Sequence, residues 1–220
     1  MIRANKNRLF HSMFSLYHQR LLRRSFDQIH LYSKGTLPTT PAIYIANHSS
    51  WWDGLIFFHL SRTVLPGDLY IMMHESGLKQ YPYFKRLGAF SINRNHPKDI
   101  LQSLQYAQQL LEGGKSVWMF PQGDEFHLEM RPLGFQPGVT YVLEHCPHTP
   151  VVPISFYYSF GQRKKPEVYI EAGNPLYHHD LPGRSRNEKT AGLEQVCTEQ
   201  LDELKQLVVT KQFNKFSILL

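Results

Sequence analysis

The sequence predicts an α/β fold: a single domain with a mostly parallel central sheet flanked by helices, preceded by an N-terminal amphipathic helical region. Short apolar runs alternate along the chain with longer amphipathic segments, the pattern of strands joined by crossover helices. The length of 220 residues and the hydrophobic content of 42% suit one domain with a substantial core. Cys146 and Cys197 are too few for a disulfide framework, so a reducing compartment is expected.

The first 33 residues form the predicted N-terminal region. Its apolar residues recur three or four positions apart, as on one face of a helix: Leu9, Phe10, Met13, Phe14, Leu16, Tyr17, Leu21 and Leu22. Its basic residues all precede the first acid, Asp27: Arg3, Lys6, Arg8, Arg20, Arg23 and Arg24. An amphipathic helix with a basic polar face can bind an anionic membrane surface. The same pattern also fits a helix that packs on the domain and leaves its basic face in solvent.

The sequence also bears on where the protein works. No apolar stretch approaches the roughly 18 residues that cross a bilayer. Polar residues interrupt the segment that would be apolar in a signal peptide: His11, His18, Gln19 and Arg20. We therefore expect a cytoplasmic protein that associates peripherally with the cytoplasmic face of a membrane. A nucleic-acid partner is not expected, because the chain has neither an RNA-binding aromatic signature nor zinc-finger spacing.

The remaining residues, 34–220, form the predicted α/β domain, which begins with a linker at 34–38. The predicted strands are residues 42–46, 69–73, 89–92, 116–120, 151–158 and 167–172. The predicted helices are residues 52–60, 97–112, 138–145 and 187–210. Proline just inside the start and glycines just past the end mark the second helix, Pro97 and Gly113-Gly114. In such folds chemistry is found in loops after strands, and the segments ANHSSWWDG and FPQGDE both occupy that position.

The segment ANHSSWWDG, residues 46–54, contains a histidine and an aspartate that can be interpreted in two ways. The structural interpretation is a capping box at the start of a helix, formed by Ser50 and Asp53. In the catalytic interpretation, His48 precedes the cap, and its ring folds back over the first helical turn toward Asp53. A carboxylate bonded to one imidazole nitrogen fixes the tautomer and leaves the other nitrogen as a base. One aspartate can serve both purposes.

Four short blocks, in this order along the chain, resemble those of a known family. They are Asn47-His48 with Asp53, Gly88 to Arg94, Phe120-Pro121-Gln122-Gly123, and Val152-Pro153-Ile154. The first resembles the NHxxxxD signature of the glycerolipid acyltransferase family, which includes the lysophosphatidic acid acyltransferases. The others resemble its glycine-to-arginine, Phe-Pro-Glu-Gly and Val-Pro-Ile blocks. Each block is short, but the four in order are specific and cover about half of the chain.

The resemblance implies transfer of a fatty acyl group from a thioester, acyl-CoA or acyl-carrier protein, to a hydroxyl of a lipid acceptor. His48 would take the hydroxyl proton, while Asp53 would orient His48 and stabilise the imidazolium, as in a serine-protease triad with the substrate alcohol as nucleophile. No cofactor is implied, because the thioester is a co-substrate. No metal is implied either. The segment His178-His179-Asp180 lies in a loop rich in proline and glycine and is expected at the surface.

The resemblance also implies a set of substrate-binding residues: Asn47, Arg94, Pro121, Gln122, Gly123, Asp124, Glu125 and Arg131. The third block departs from the family pattern Phe-Pro-Glu-Gly-Thr-Arg, because Gln122, Asp124 and Glu125 replace its Glu, Thr and Arg. Acids repel a phosphate and accept hydrogen bonds from hydroxyl or amine groups. These residues therefore favour a sugar-bearing or otherwise non-phosphorylated acceptor. A lysophospholipid acceptor remains compatible if the acids point into solvent, or if Arg94 and Arg131 replace the missing cation.

Two other functions fit parts of the sequence. A lipid esterase or hydrolase needs a protein nucleophile, but Gly-x-Ser-x-Gly is absent and neither cysteine has a recognisable catalytic setting. A catalytically inactive peripheral membrane protein would keep the basic helix but would need neither His48 nor Asp53. An acyltransferase accounts for both residues.

Overall fold

The computed structural model describes all 220 residues and has an α/β fold, a single domain with an eight-stranded sheet flanked by helices. The strands are β1 (Ile29–Ser33), β2 (Ile43–Ala46), β3 (Leu69–His74), β4 (Ala89–Ile92), β5 (Ser116–Met119), β6 (Val151–Phe160), β7 (Pro166–Ala172) and β8 (Ser217–Ile218). The α-helices are α1 (Arg8–Ser25), α2 (Asp53–Thr63), α3 (Glu75–Gln80), α4 (Pro97–Glu112), α5 (Gly138–His145) and α6 (Arg186–Val209). Short 3-10 helices cover Pro82–Leu87 and Phe213–Lys215.

The sheet is mostly parallel, as the alternation of strands and helices predicted. Its strand order is β4-β3-β5-β2-β6-β7-β1-β8, and the first five of these strands run parallel to one another. β7 is antiparallel to β6, and β1 is parallel to β7. The carboxyl ends of the five parallel strands share one edge, here called the carboxyl edge. Because β2 and β5 are adjacent, ANHSSWWDG and FPQGDE leave that edge side by side.

Alternate residues of the central strands fill cores on opposite faces of the sheet. Ile43 and Ile45 of β2 belong to the core beneath α4, α5 and α6. Tyr44 and Ala46 of the same strand belong to the core beneath α1 and α2. All four residues are buried. Burial on both faces explains why this strand is a continuous apolar run rather than an alternating one.

Helix α1 forms where a helix was expected, and it packs on the domain. Leu22 is fully buried, and His18 Nε2 lies 2.9 Å from the carbonyl oxygen of Leu55 in α2. Burial lowers the pKa of His18 to about 4, so its ring is neutral at physiological pH. The outward side of α1 nevertheless exposes four large apolar side chains, each by at least 61%: Leu9, Met13, Leu16 and Tyr17.

The predicted division after residue 33 needs a correction in the structure. Residues 29–33 are not helical but form β1, which pairs with β7 inside the sheet. The sequence pattern did not indicate this strand, because the polar His30 interrupts its apolar residues. In the structure the His30 ring is buried and stacks on Tyr169, with centroids 4.5 Å apart. The sequence also did not reveal α3, β8 or the 3-10 helices. The other predicted elements agree with the structure to within about three residues at either end.

The longest helices of the chain are α1, with 18 residues, and α6, with 24. Neither these nor the shorter helices combine the length and the apolar character required to cross a bilayer.

The packing of α1 predicts a large stability difference between two of its leucines. Leu22→Ala should lower the free energy of unfolding by about 2–5 kcal/mol, because it leaves a cavity in a fully packed site. Leu16→Ala is the matched control, and since Leu16 is 75% exposed its effect should be within about 0.5 kcal/mol. Urea unfolding of both variants measures the difference. Equal stabilities would show that α1 is not packed on the domain in solution.

Candidate active site

The structure brings His48 and Asp53 together in the turn after β2. Asp53 is the first residue of α2, and His48 lies in the turn before it. His48 Nδ1 is 2.8 Å from Asp53 Oδ2. The Asp53 side chain is completely buried, whereas that of His48 is 19% exposed. Because a carboxylate only accepts hydrogen bonds, the pairing assigns the proton to Nδ1 and leaves Nε2 as the unprotonated nitrogen.

The backbone of the turn also donates to Asp53. The N–H groups of Ser49 and Ser50 reach Oδ2 at 2.7 and 2.9 Å. Ser50 Oγ accepts from the N–H of Trp52 at 3.2 Å rather than from Asp53. Only the aspartate half of the predicted capping box is therefore present. Asp53 both closes the turn and contacts the imidazole, so the structural and catalytic interpretations do not exclude each other.

Tyr158 supplies a further hydrogen bond to Asp53, one that the sequence did not predict. Its hydroxyl donates to Oδ1 at 2.5 Å across a separation of 105 residues. Burial, followed by the nearby charge of Asp53, raises the pKa of Tyr158 well above its usual 10, so the hydroxyl keeps its proton and donates. Tyr158 and Phe156 alternate along β6 and so share the face beneath α1 and α2. In the sequence, this alternation was the only sign that Tyr158 faces that side of the sheet. It indicates Asp53 as the partner of Tyr158 only once the strand order is known.

The FPQG loop supports His48 from the side of β5. The ring of Phe120 stacks on the imidazole with centroids 4.1 Å apart and planes at 15°. The side chain of Gln122 accepts a hydrogen bond from the backbone N–H of His48, with Oε1 at 2.6 Å. Further along the loop, the N–H of Phe126 donates to the His48 carbonyl at 2.9 Å. Gln122, expected to bind substrate, is buried and holds the backbone of His48 instead.

Two other residues expected at the substrate lie elsewhere. The Asn47 amide bonds to the backbone of Phe156, donating at 3.0 Å and accepting at 2.8 Å, and so links the end of β2 to β6. The Arg131 guanidinium pairs with Asp202 of α6 and donates to the carbonyl of Leu128 at 3.0 Å. Neither side chain lines the cavity beside His48. Sequence position alone could not separate these supporting contacts from contacts to a ligand.

A cavity of about 840 Å³ opens beside His48 at the carboxyl edge. Of its 35 lining residues, 19 are hydrophobic, which matches the mostly apolar character of ligand sites. Its apolar walls come from both sides of the sheet, with Leu55 and Phe58 on α2 facing Leu101 and Leu104 on α4. The structure also places several of the expected substrate-binding residues on its lining: Arg94, Pro121, Gly123, Asp124 and Glu125.

The polar part of this lining is mixed in charge. Arg94 Nη1 donates to the carbonyl of Gly123 at 3.0 Å. Gly123 has a φ of +76°, a backbone conformation that favours glycine, and a Cβ there would lie 3.0 Å from Arg94 Nη1. Glu125 Oε1 lies 3.8 Å from His48 Nε2, and its side chain is half exposed. A polar ligand group in the cavity would therefore meet acids as well as cations, since Asp124 and Arg186 also line it.

No protein nucleophile faces the imidazole. His48 Nε2 has no hydrogen-bond partner in the protein. Cys146 and Cys197 are both buried, and burial raises the pKa of each thiol, so neither provides a reactive thiolate. The arrangement is suited to take a proton from a bound molecule rather than from a side chain.

Comparison with known proteins agrees with this geometry. A 1-acyl-sn-glycerol-3-phosphate acyltransferase of Bacillus subtilis is 24% identical over 184 residues, which are 80% of this chain and 88% of that protein. Two further 1-acyl-sn-glycerol-3-phosphate acyltransferases, of Chlamydomonas reinhardtii and of the Arabidopsis thaliana chloroplast, are 30% and 29% identical over 54% and 44% of this chain. Those matches cover 34% and 28% of the two proteins, so this chain corresponds to about a third of their length.

The sequence model of the acyltransferase family matches residues 28–157, more than half of the chain. The matched segment contains the turn with His48 and Asp53, the FPQG loop beside the cavity, and β6 up to the residue before Tyr158. The chain therefore belongs to the acyltransferase family.

Proposed function

We propose that this protein transfers a fatty acyl group from acyl-CoA or acyl-carrier protein to a hydroxyl of a lipid acceptor, with His48 as the base. One observation carries the proposal: Asp53 holds Nδ1 of His48, while Nε2 has no hydrogen-bond partner in the protein and lies beside a mostly apolar cavity. An imidazole fixed in this way can accept a proton from a bound hydroxyl. The two buried cysteines argue against a hydrolase that would first form a covalent acyl-enzyme on a thiol.

In the proposed reaction, the acceptor hydroxyl loses its proton to His48 Nε2 as its oxygen attacks the thioester carbonyl. The new C–O bond forms a tetrahedral intermediate, and the C–S bond then breaks. The leaving sulfur receives the proton from the imidazolium, so an ester and a free thiol result. Asp53 stabilises the positive charge on the ring during this cycle, and its burial strengthens that interaction.

The apolar walls support a binding site for the acyl chain. The cavity extends from His48 along α2 and α4, where a hydrocarbon chain would replace water at side chains such as Phe58 and Leu104. The thioester would then lie at the polar lining near His48. Chain-length preference would follow from the depth of this apolar part.

The acceptor that we propose is a neutral or glycosylated lipid alcohol. Glu125 lies 3.8 Å from His48 Nε2, at the position where the acceptor hydroxyl must come, and a carboxylate there disfavours a phosphate. Arg131 is committed to Asp202, so it does not assist Arg94. Lysophosphatidic acid is the second candidate, because Arg94 lines the cavity and the similar proteins are described as 1-acyl-sn-glycerol-3-phosphate acyltransferases.

We further propose that α1 binds the protein peripherally to an anionic membrane, on its cytoplasmic face. The support is the outward apolar stripe of α1, defined by Leu9, Met13, Leu16 and Tyr17. Helices of this kind lie in the interfacial plane with the apolar face toward the lipid. The helix rests on α2, which carries Asp53, so this contact would bring the site close to the lipid acceptor.

The catalytic assignment predicts that His48→Ala lowers kcat/KM by at least about 10²-fold, the usual lower contribution of a general base. The exposed His148 provides the matched control, and His148→Ala should keep full activity. Thioester consumption and ester formation are followed together with thermal unfolding. Near-wild-type turnover by His48→Ala would remove the base assignment.

Asp53→Asn should also lose most activity, and retained activity with a large loss of stability would leave Asp53 only its capping role.

Tyr158→Phe tests the hydrogen bond to Asp53 separately. Removing one hydroxyl leaves Oδ1 with an unpaired position and loosens the carboxylate that orients His48. We expect kcat to fall by about tenfold while KM for the thioester stays unchanged. Tyr157→Phe, on the opposite face of β6, is the control and should leave both constants unchanged. An equal effect of the two substitutions, or a change in KM alone, would contradict the positioning role.

The acceptor proposal predicts that lysophosphatidic acid is used at least about tenfold less efficiently than a neutral or glycosylated lipid alcohol, since a charge-assisted bond to phosphate contributes about 1.5–3 kcal/mol. Side-by-side assays of both acceptors give the ratio of kcat/KM. Arg94→Ala and the control Arg131→Ala show whether either arginine matters. Efficient, saturable acylation of lysophosphatidic acid that is lost only in Arg94→Ala would favour the phosphate acceptor instead.

A further inference from the structure

The turn of the β6–β7 hairpin, residues 160–165, is an exposed basic segment for which the proposed reaction has no use. Phe160 is 75% exposed, and the Arg163 side chain is 70% exposed. Lys164 is also exposed, and its side chain makes no hydrogen bond or ion pair. A large aromatic side chain left in solvent beside three cations is the composition of an interfacial contact rather than of a solvated turn.

The hairpin turn lies at the carboxyl edge, on the α1 side of the sheet. β6 is parallel to β2 and continues beyond its end, so the turn projects from the same edge as His48. Phe156 and Tyr158 face the core beneath α1 and α2. Side chains two residues apart lie on the same face of a strand, so Phe160 points to that side as well. At Phe160, however, β6 extends beyond the core, and the side chain is exposed.

Direct contacts join the hairpin turn to the end of α1. Lys165 Nζ donates to the carbonyl of Arg23 at 2.6 Å. Arg163 pairs with Asp27 at 3.2 Å, which neutralises the nearest acid on this side. Glu167, the acid of β7 nearest the turn in sequence, instead accepts a hydrogen bond from Tyr169, whose side chain faces α6 on the other side of the sheet. The local charge on the α1 side is therefore strongly positive.

The outward face of α1 changes character toward this turn. Its first turns present the apolar stripe, and Arg20 then follows Leu16 at a spacing of four. Arg23 and Arg24 follow Arg20 at three and four, so they continue the same face, and all three arginines are exposed. The apolar stripe thus leads into a basic cluster formed jointly by α1 and the hairpin turn: Arg20, Arg23, Arg24, Arg163, Lys164 and Lys165.

We infer that the hairpin turn is a second membrane contact, which binds anionic phospholipid head groups through its cations and inserts Phe160 at the boundary between head groups and acyl chains. This inference rests on the proposed membrane binding of α1 and adds a contact remote in sequence. A bilayer fits better than an acidic protein partner, because the basic cluster adjoins the apolar stripe of α1. The side chains of that stripe are 61–75% exposed and uncharged, so they would contact lipid rather than acidic groups. Two separate contacts fix the rotation of the domain about α1, so the carboxyl edge faces the lipid.

The test is vesicle flotation of the full chain with phosphatidylcholine vesicles, with and without phosphatidylglycerol. The double variant Phe160→Ser/Lys164→Glu alters the turn without touching the contacts of Arg163 and Lys165. Its matched control is Val209→Ser/Arg184→Glu. This control makes the same change of charge at two exposed positions, the last residue of α6 and a residue just before the start of that helix. A third variant, Leu9→Ser/Leu16→Ser, tests the apolar stripe of α1. Turnover of every protein is measured in detergent micelles.

We expect the hairpin variant to bind anionic vesicles at least about tenfold more weakly than the wild type, with unchanged turnover in micelles. The control should bind as the wild type does. Wild-type binding by the hairpin variant would overturn the inference, and the membrane role of α1 would still stand if the Leu9/Leu16 variant were released. Failure of the wild type to bind would overturn both.

The turnover measurements separate a lipid contact from a protein contact at the hairpin turn. If the hairpin variant keeps vesicle binding but loses turnover with acyl-carrier protein and not with acyl-CoA, the surface docks an acidic protein and the membrane inference is wrong. If the wild type binds vesicles but transfers no acyl group in micelles, the proposed reaction fails while the binding results still decide the role of the hairpin.

Discussion

The buried carboxylate of Asp53 is the group on which the arrangement of the site depends. A buried charge that lacks partners costs several kcal/mol, so the surrounding chain must supply donors to it. Three come from the turn itself, the His48 ring and the N–H groups of Ser49 and Ser50, and the fourth is the Tyr158 hydroxyl. Satisfying the carboxylate therefore fixes the imidazole, the start of α2 and the register of β6 together.

Two residues of the FPQGDE segment that depart from the family pattern affect the site in different ways. Gln122 stands where the family pattern has a glutamate, and its side-chain oxygen accepts a hydrogen bond from the backbone of His48, as a carboxylate oxygen also could. The substitution keeps the support of the turn and removes one negative charge near the imidazole. Glu125, in contrast, lies 3.8 Å from His48 Nε2, so in the proposed reaction the departure there would act on the ligand. Neighbouring departures in one loop thus have different consequences.

Much of the fold and the central pair could be predicted from the sequence, because both are encoded locally. The apolar run 42–46 and the proline at the start of α4 mark their elements through neighbouring residues alone. Tyr158, Asn47 and Arg131 could not be assigned, since their roles depend on strands and helices that meet only in the folded chain. β1 was missed because its polar His30 is buried by stacking on Tyr169, a contact that no local pattern indicates.

The proposed chemistry depends above all on the tautomer of His48, with the proton held on Nδ1 by Asp53 and Nε2 free to act as the base. Nitrogen-15 NMR of protein labelled at histidine, recorded at a pH where the ring is neutral, reports this tautomer directly. We expect a protonated Nδ1 and an unprotonated Nε2 for His48, and loss of this preference in Asp53→Asn, where the amide can offer a donor to Nδ1. A His48 ring protonated at Nε2 in the wild type, or a tautomer unchanged in Asp53→Asn, would contradict this assignment.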